Sequence, residues 1–140
     1  MKKYVDRLLR EWNLHGKIII GVYFDNTLTP YPTFDNQEDI DRTIKVLKDC
    51  QNVGCYIVIH TCSHEDRYDE IKKYCESIGI KVDSINVTPI NVPWGDTVKP
   101  YCNHFLDDRG ALPAALDILE EAMYKQRAFN YSQVRRDEIG

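Results

Sequence analysis

Residues 17–29 read KIIIGVYFDNTLT, and the reading of this stretch decides the fold. Ile18, Ile19, Ile20, Gly21, Val22, Tyr23 and Phe24 make an unbroken apolar and largely β-branched run, opened by Lys17 and closed by Asp25. A strand with one wet face alternates apolar and polar residues. One that is apolar throughout is covered on both faces, as in a parallel sheet. At Asp25 the chemistry changes abruptly, and the turn-rich NTLTPYPTFDN of 26–36, with two prolines, takes over.

Upstream, Tyr4, Val5, Leu8, Leu9 and Trp12 recur at helical spacing, which predicts a helix over 2–14 that stops at His15-Gly16. Downstream, Ile40, Ile44 and Leu47 mark a helix ending near 52–54, and 55–60 is a second apolar strand. Ser63 with Asp66 three residues on is an acidic variant of a helix N-cap box, leading into a helix that carries Tyr68, Ile71, Tyr74, Cys75 and Ile78 up to Gly79. A short third strand is expected over 80–85. A long irregular loop follows over 86–100, with Pro89, Pro93, Gly95 and Pro100, then a fourth strand over 101–106. Ala115, Leu116, Leu119, Ala122 and Met123 describe a last helix. The expected organisation is a single domain over 1–126 and a polar C-terminal tail over 127–140 that frays.

Composition supports one domain, since 140 residues at 43% hydrophobic content suffice for a core without staples. A formal charge of -4 gives no overall attraction for nucleic acid or anionic membrane, although a local basic rim is compatible with it. With no apolar stretch of about 18 residues and no leader pattern, the expectation is a cytoplasmic protein with no membrane partner. Five cysteines without CxxC spacing argue against a disulfide framework and against a zinc site.

Strands alternating with helices predict an α/β fold: a three-layer, Rossmann-like parallel sheet with helices on both faces, joined by right-handed crossovers. Ligands of such sheets bind at the carboxyl ends of the strands. The residues just past those ends are polar: Asp25, Thr27, Thr61, Asp107 and Asp108. Phosphoryl transfer to an aspartate calls for a carboxylate nucleophile, a second carboxylate for the leaving oxygen, further carboxylates for Mg²⁺, and a hydroxyl and a lysine for the phosphoryl oxygens.

IIIGVYFDNTLT resembles the first motif of the haloacid dehalogenase superfamily, an apolar strand followed by Asp-x-Asp-x-Thr, with Tyr23, Asp25 and Thr27 in the first, third and fifth places. YIVIHTCS resembles the second motif and makes Thr61 the phosphate-binding hydroxyl. Lys99 in VKPYCNHFLDDRGA resembles the third-motif lysine, with Lys81 as the substitute, and Asp107-Asp108 resemble the fourth-motif acidic pair. The resemblance spans 17 to about 123 and is similar in spacing to small capless members, including the 3′-phosphatase domains of phage polynucleotide kinases. It implies a Mg²⁺-dependent phosphohydrolase with Asp25 as general acid and base, Thr61 and Lys99 on the phosphate, and Asp25, Asp107 and Asp108 on the metal. Arg109 pairs either with the acidic cluster or with the substrate phosphate. His60, His64 and His104 lack metal-ligand spacing and read as core or surface residues.

Tyr23 departs from that pattern. A phenol is neutral at pH 7, offers Mg²⁺ no bridging carboxylate, and adds bulk where the phosphate belongs. Three accounts are open: an inactivating change in an enzyme with aspartate here, a native non-catalytic relative that binds phosphate or a partner, and an alternative tyrosine nucleophile. The usual cap insertions have no room between 29 and 38 or between 86 and 98, so the site is expected to be open, with the 86–98 loop as its rim. An open site suits a nucleotide, a nucleic-acid end or another phosphorylated macromolecule, or a second subunit as a lid in a homo-oligomer. Tyr31, Phe34 and Trp94 lie in these loops and could stack on a ring.

Overall fold

The computed structural model describes residues 1–32, 34–92 and 99–139, with side chains as far as residue 128. Eight elements follow in order: α1 (Lys2–His15), β1 (Ile19–Tyr23), α2 (Gln37–Asn52), β2 (Tyr56–His60), α3 (Tyr68–Ser77), β3 (Ser84–Ile85), β4 (His104–Leu106) and α4 (Leu112–Ile139). The fold is α/β and Rossmann-like, built on a four-stranded, all-parallel sheet flanked by helices. Strand order is β3-β2-β1-β4, which puts β1 at an inner position between β2 and β4.

Alternation along the strands sorts residues to two faces. Ile20, Val22, Ile57, Ile59 and Leu106 lie in one core with Val5, Leu8 and Trp12 of α1, Leu47 and Cys50 of α2, Ile71 and Cys75 of α3, and Leu116, Leu119 and Met123 of α4. Each of those helices offers an apolar stripe at 3.6 spacing, and burying such stripes against the sheet is the main favourable contribution to stability. On the second face lie Ile19, Gly21, Tyr23, Tyr56, His60 and Phe105. Ile90, Val92 and Tyr101, from the connection between β3 and β4, line a hollow with Ile19 and Tyr56 of that face.

The β3 and β4 ladders are shorter than the apolar runs suggested, for an identifiable reason. The Ile57 N–H donates to the Asp83 carboxylate at 2.8 Å, and the Ile19 N–H to the Asn103 side-chain oxygen at 2.8 Å. Side chains thus take up backbone groups that a longer strand would have paired, as buried polar groups require. The expected 127–140 tail is corrected too, since the α4 backbone stays helical to Ile139. No Gly or Pro occurs between Pro113 and Gly140 to break it.

The 86–98 rim also needs correction. Ile90 and Val92 line a hollow with His15, Lys17, Ile19 and Tyr56, at the amino ends of β1 and β2. Lys99 and Pro100 lie at the carboxyl ends, in the hollow lined by Tyr23 and His60. Trp94 and the rest of 93–98 fall outside the described residues.

Gly21 sits mid-strand where the second face is most crowded. A Cβ there would lie 2.7 Å from Cys102 Sγ and 2.8 Å from His60 Nε2. Gly21→Ala is therefore expected to destabilise the fold by about 1–3 kcal/mol through overpacking, read as a lower urea midpoint with an unchanged m-value; a variant as stable as the parent would refute this packing.

Candidate functional site

Directly after β1 the chain folds back on one carbonyl. Phe24 C=O accepts from the N–H groups of Thr27, Leu28 and Thr29 at 3.4, 3.0 and 3.2 Å. Asn26 enables the reversal by adopting φ 63°, a left-handed conformation that Asn tolerates better than most residues. The turn carries Thr27 inward until it is fully buried. Its Oγ1 donates to Asp108 Oδ1 at 3.2 Å and accepts the Asp108 N–H at 3.1 Å. This reciprocal pair ties the loop after β1 to the loop after β4.

Tyr23 ends β1 in register with His60, the last residue of β2. Its phenol and the Cys62 thiol are 3.2 Å apart and share a hydrogen bond. That bond, then burial, then the electrostatic influence of Cys62, Asp107 and Asp108 push the phenol above its ordinary pKa. Tyr23, His60, Lys99, Phe105 and Asp107 line one hollow of about 410 Å³. Burial lowers the His60 imidazole below its usual range, with Asp107 opposing and Lys99 reinforcing the shift.

Thr61 is held by a side chain that patterning did not single out. Asn86, at φ 57°, accepts the Thr61 N–H at 3.0 Å and donates from Nδ2 to the Thr61 carbonyl at 2.8 Å and to Tyr68 Oη at 2.9 Å. Thr61 Oγ1 accepts the Ser63 N–H at 3.1 Å. Ser63 is not the helix cap expected of it: no side chain caps α3, a 3₁₀ turn over Glu65–Arg67 precedes the helix, and Ser63 Oγ accepts from Arg67 at 2.8 Å.

Arg67 is the residue that sequence reasoning missed. Its Nη1 donates to Asp25 Oδ2 at 3.2 Å and its Nη2 to Asp25 Oδ1 at 3.1 Å, a bidentate fork across the loops after β1 and β2. The guanidinium carbon also lies 5.4 Å from the Phe24 ring centroid. Its one signal in the sequence is an arginine among acidic neighbours shortly after Thr61, which is too common to stand out.

The other expected residues sort by strand end. Lys99 shares the Tyr23 hollow, whereas Lys81 lies before β3, with its backbone paired to the Gln51 side chain at 3.1 and 2.7 Å. Asp107 Oδ1 accepts the Arg109 N–H at 2.9 Å. Arg109 lines a second hollow with Asn26, Tyr31, Phe34 and Asp108. Tyr31 and Phe34 face each other there in an antiparallel bridge, both half exposed. His104 contacts the Ala115 carbonyl at 2.8 Å and is a buried structural residue.

Mg²⁺ asks for six oxygens in near-octahedral array, several of them anionic. Asp25 has both oxygens on Arg67, position 23 offers a phenol, and no three His, Cys, Asp or Glu side chains gather as a metal group among the described residues. As arranged, these residues do not fit a Mg²⁺ centre.

No family model matches the chain, and no curated protein does. Among solved structures, the chain is similar to the conserved protein coded by a locus of Bacteroides thetaiotaomicron, with a TM-score of 0.60 at 20% identity, over 75% of this chain and 91% of that one. At that identity the likeness establishes the fold alone. No helix among the described residues is long and apolar enough to cross a membrane.

Burial above all, with a further contribution from Asp107, raises the Asp108 carboxyl above the usual range, while the Thr27 hydroxyl and the backbone pull the other way. A folded-state pKa above the unfolded one means the native state holds the proton more tightly. The corresponding stability is present below the unfolded pKa and lost as pH rises through the folded one. Asp108→Asn keeps an acceptor for Thr27 and removes the charge, so its Tm relative to the parent should rise between about pH 4 and pH 7. A constant difference across that range in thermal melts would contradict this.

Proposed function

We propose that the chain carries the scaffold of a Mg²⁺-dependent phosphohydrolase of the haloacid dehalogenase type, with Tyr23 in the nucleophile's place, and that as written it forms no aspartyl-phosphate. The observation that carries the reading is the convergence of Tyr23, Thr27 with Asp108, Thr61 and Lys99 at the carboxyl ends of adjacent strands. A neutral phenol whose pKa is raised lacks the charge an attacking oxygen needs, and its hydrogen-bond partner is a thiol. Asp25 would serve as general acid and base, Thr61 and Lys99 would meet the phosphoryl oxygens, and Asp25, Asp107 and Asp108 would hold Mg²⁺ once position 23 supplied a carboxylate. An acid at Asp25 must first let go of Arg67.

The substrate class we infer is a phosphate monoester on a nucleotide, a nucleic-acid end or another macromolecule. The half-exposed Tyr31 and Phe34 beside Asp108 accord with a ring-bearing ligand. A homo-oligomer would supply a lid. The free thiols accord with a reducing, cytoplasmic setting. A second reading, a non-catalytic phosphate- or partner-binding domain, is favoured by one observation: both Asp25 oxygens are already taken by Arg67.

Tyr23→Asp should create Mg²⁺-dependent hydrolysis of an aryl phosphate, at least about a thousandfold above the parent chain, since a missing nucleophile costs several powers of ten. EDTA should abolish it, and Asp25→Asn should suppress it. A folded Tyr23→Asp protein that turns over no aryl phosphate, nucleotide or phosphorylated oligonucleotide end would leave the binding-domain reading in its place.

A further inference from the structure

A phenol and not a carboxylate stands at position 23, at the carboxyl end of β1. Asp25, Asp107 and Asp108 share these loops with three cations, Arg67, Lys99 and Arg109. Glu70 also acts on the Arg67 guanidinium, so a fourth carboxylate at position 23 would add to a negative excess and favour a metal there; with Tyr23 that charge is absent. Arg67 and a divalent cation would also compete for the same two Asp25 oxygens, so the pairing with Arg67 weakens a metal site there.

Arg67 is built in rather than loosely exposed. Asp25, Ser63 and the Phe24 ring fix its plane, and its side chain is 34% exposed. Of the five N–H donors a guanidinium carries, Asp25 and Ser63 engage two on Nη1 and one on Nη2. The Nε–H and the second Nη2–H have no partner among the described residues. These two point along one edge of the guanidinium, the edge that receives two oxygens of a carboxylate or phosphate side by side.

We propose that Arg67 stands in for the divalent cation in this chain, so that the site takes an oxyanion of the phosphate-monoester class on the free edge of Arg67 without Mg²⁺. The proposal rests on the phosphate-site part of the reading above and does not need turnover. Asp25 acts in it as a positioning residue, holding the guanidinium in place.

The test is a calorimetric titration of the full chain with inorganic phosphate, in EDTA and again in saturating Mg²⁺. Equal affinity in both buffers is expected. Arg67→Gln should weaken binding by about tenfold or more, the scale of a lost charge-assisted pair, and Arg67→Lys should keep part of it; circular dichroism checks that each variant is folded. Mg²⁺ alone should produce no saturable NMR shifts at Asp25 in the parent chain, and should produce them once position 23 supplies a carboxylate, as in Tyr23→Asp. Phosphate binding that requires Mg²⁺, that is equal in the parent and Arg67→Gln, or that is absent from the parent in both buffers would overturn the proposal. Turnover by Tyr23→Asp with Arg67-independent binding would sink this inference and leave the scaffold standing. Metal-free, Arg67-dependent binding with no turnover would do the reverse.

Discussion

A strand that is apolar along its whole length has to be covered on both faces and paired along both edges, and β1 is that strand. Its two parallel partners, β2 and β4, start and stop at nearly the same level, because parallel ladders hold neighbouring strands in register. The loops leaving their carboxyl ends are consequently forced together. Tyr23 and His60 are brought side by side by that register alone, and Thr27 reaches Asp108 across 81 positions of sequence because β1 and β4 are neighbours. The crossover that puts β4 beside β1 rather than beyond β3 thus assembles the site.

Around that geometry, electrostatics decides what the site can do. The hydrogen bond to Cys62, burial, and the nearby Asp107 and Asp108 hold the Tyr23 phenol above its ordinary pKa. Asp108 is raised by burial beside Asp107, a like-charge arrangement of the kind that a cation relieves. Arg67 supplies a cation, but to Asp25 and from a different loop. The strand ends therefore combine a phenol, three carboxylates and an arginine that is paired to one of them.

Several details were invisible in the patterning because they depend on single polar side chains substituting for backbone. Asp83 and Asn103 take N–H groups of Ile57 and Ile19, shortening β3 and β4 relative to their apolar runs, and Asn86 clamps both backbone groups of Thr61. Hydrophobic periodicity reports burial, and it does not report which donor a particular Asn or Asp will find. The same gap explains Ser63, which looks like a cap and instead serves Arg67, and Ile90 and Val92, which line a hollow at the opposite end of the sheet from the one expected.

By itself the sequence determined the fold class, the order of elements along the chain, and which residues stand just past each strand. These follow from local periodicity, turn chemistry and the alternation of strand and helix, all short-range. It also exposed Tyr23 as the place where residue type and expected chemistry disagree. Only the tertiary structure put Lys99 in one hollow with Tyr23 and Lys81 before β3, and brought Arg67 onto Asp25. The physical reason is distance: an ion pair across 42 residues leaves no local mark, and it exists because two loops of adjacent parallel strands are made to end at the same height.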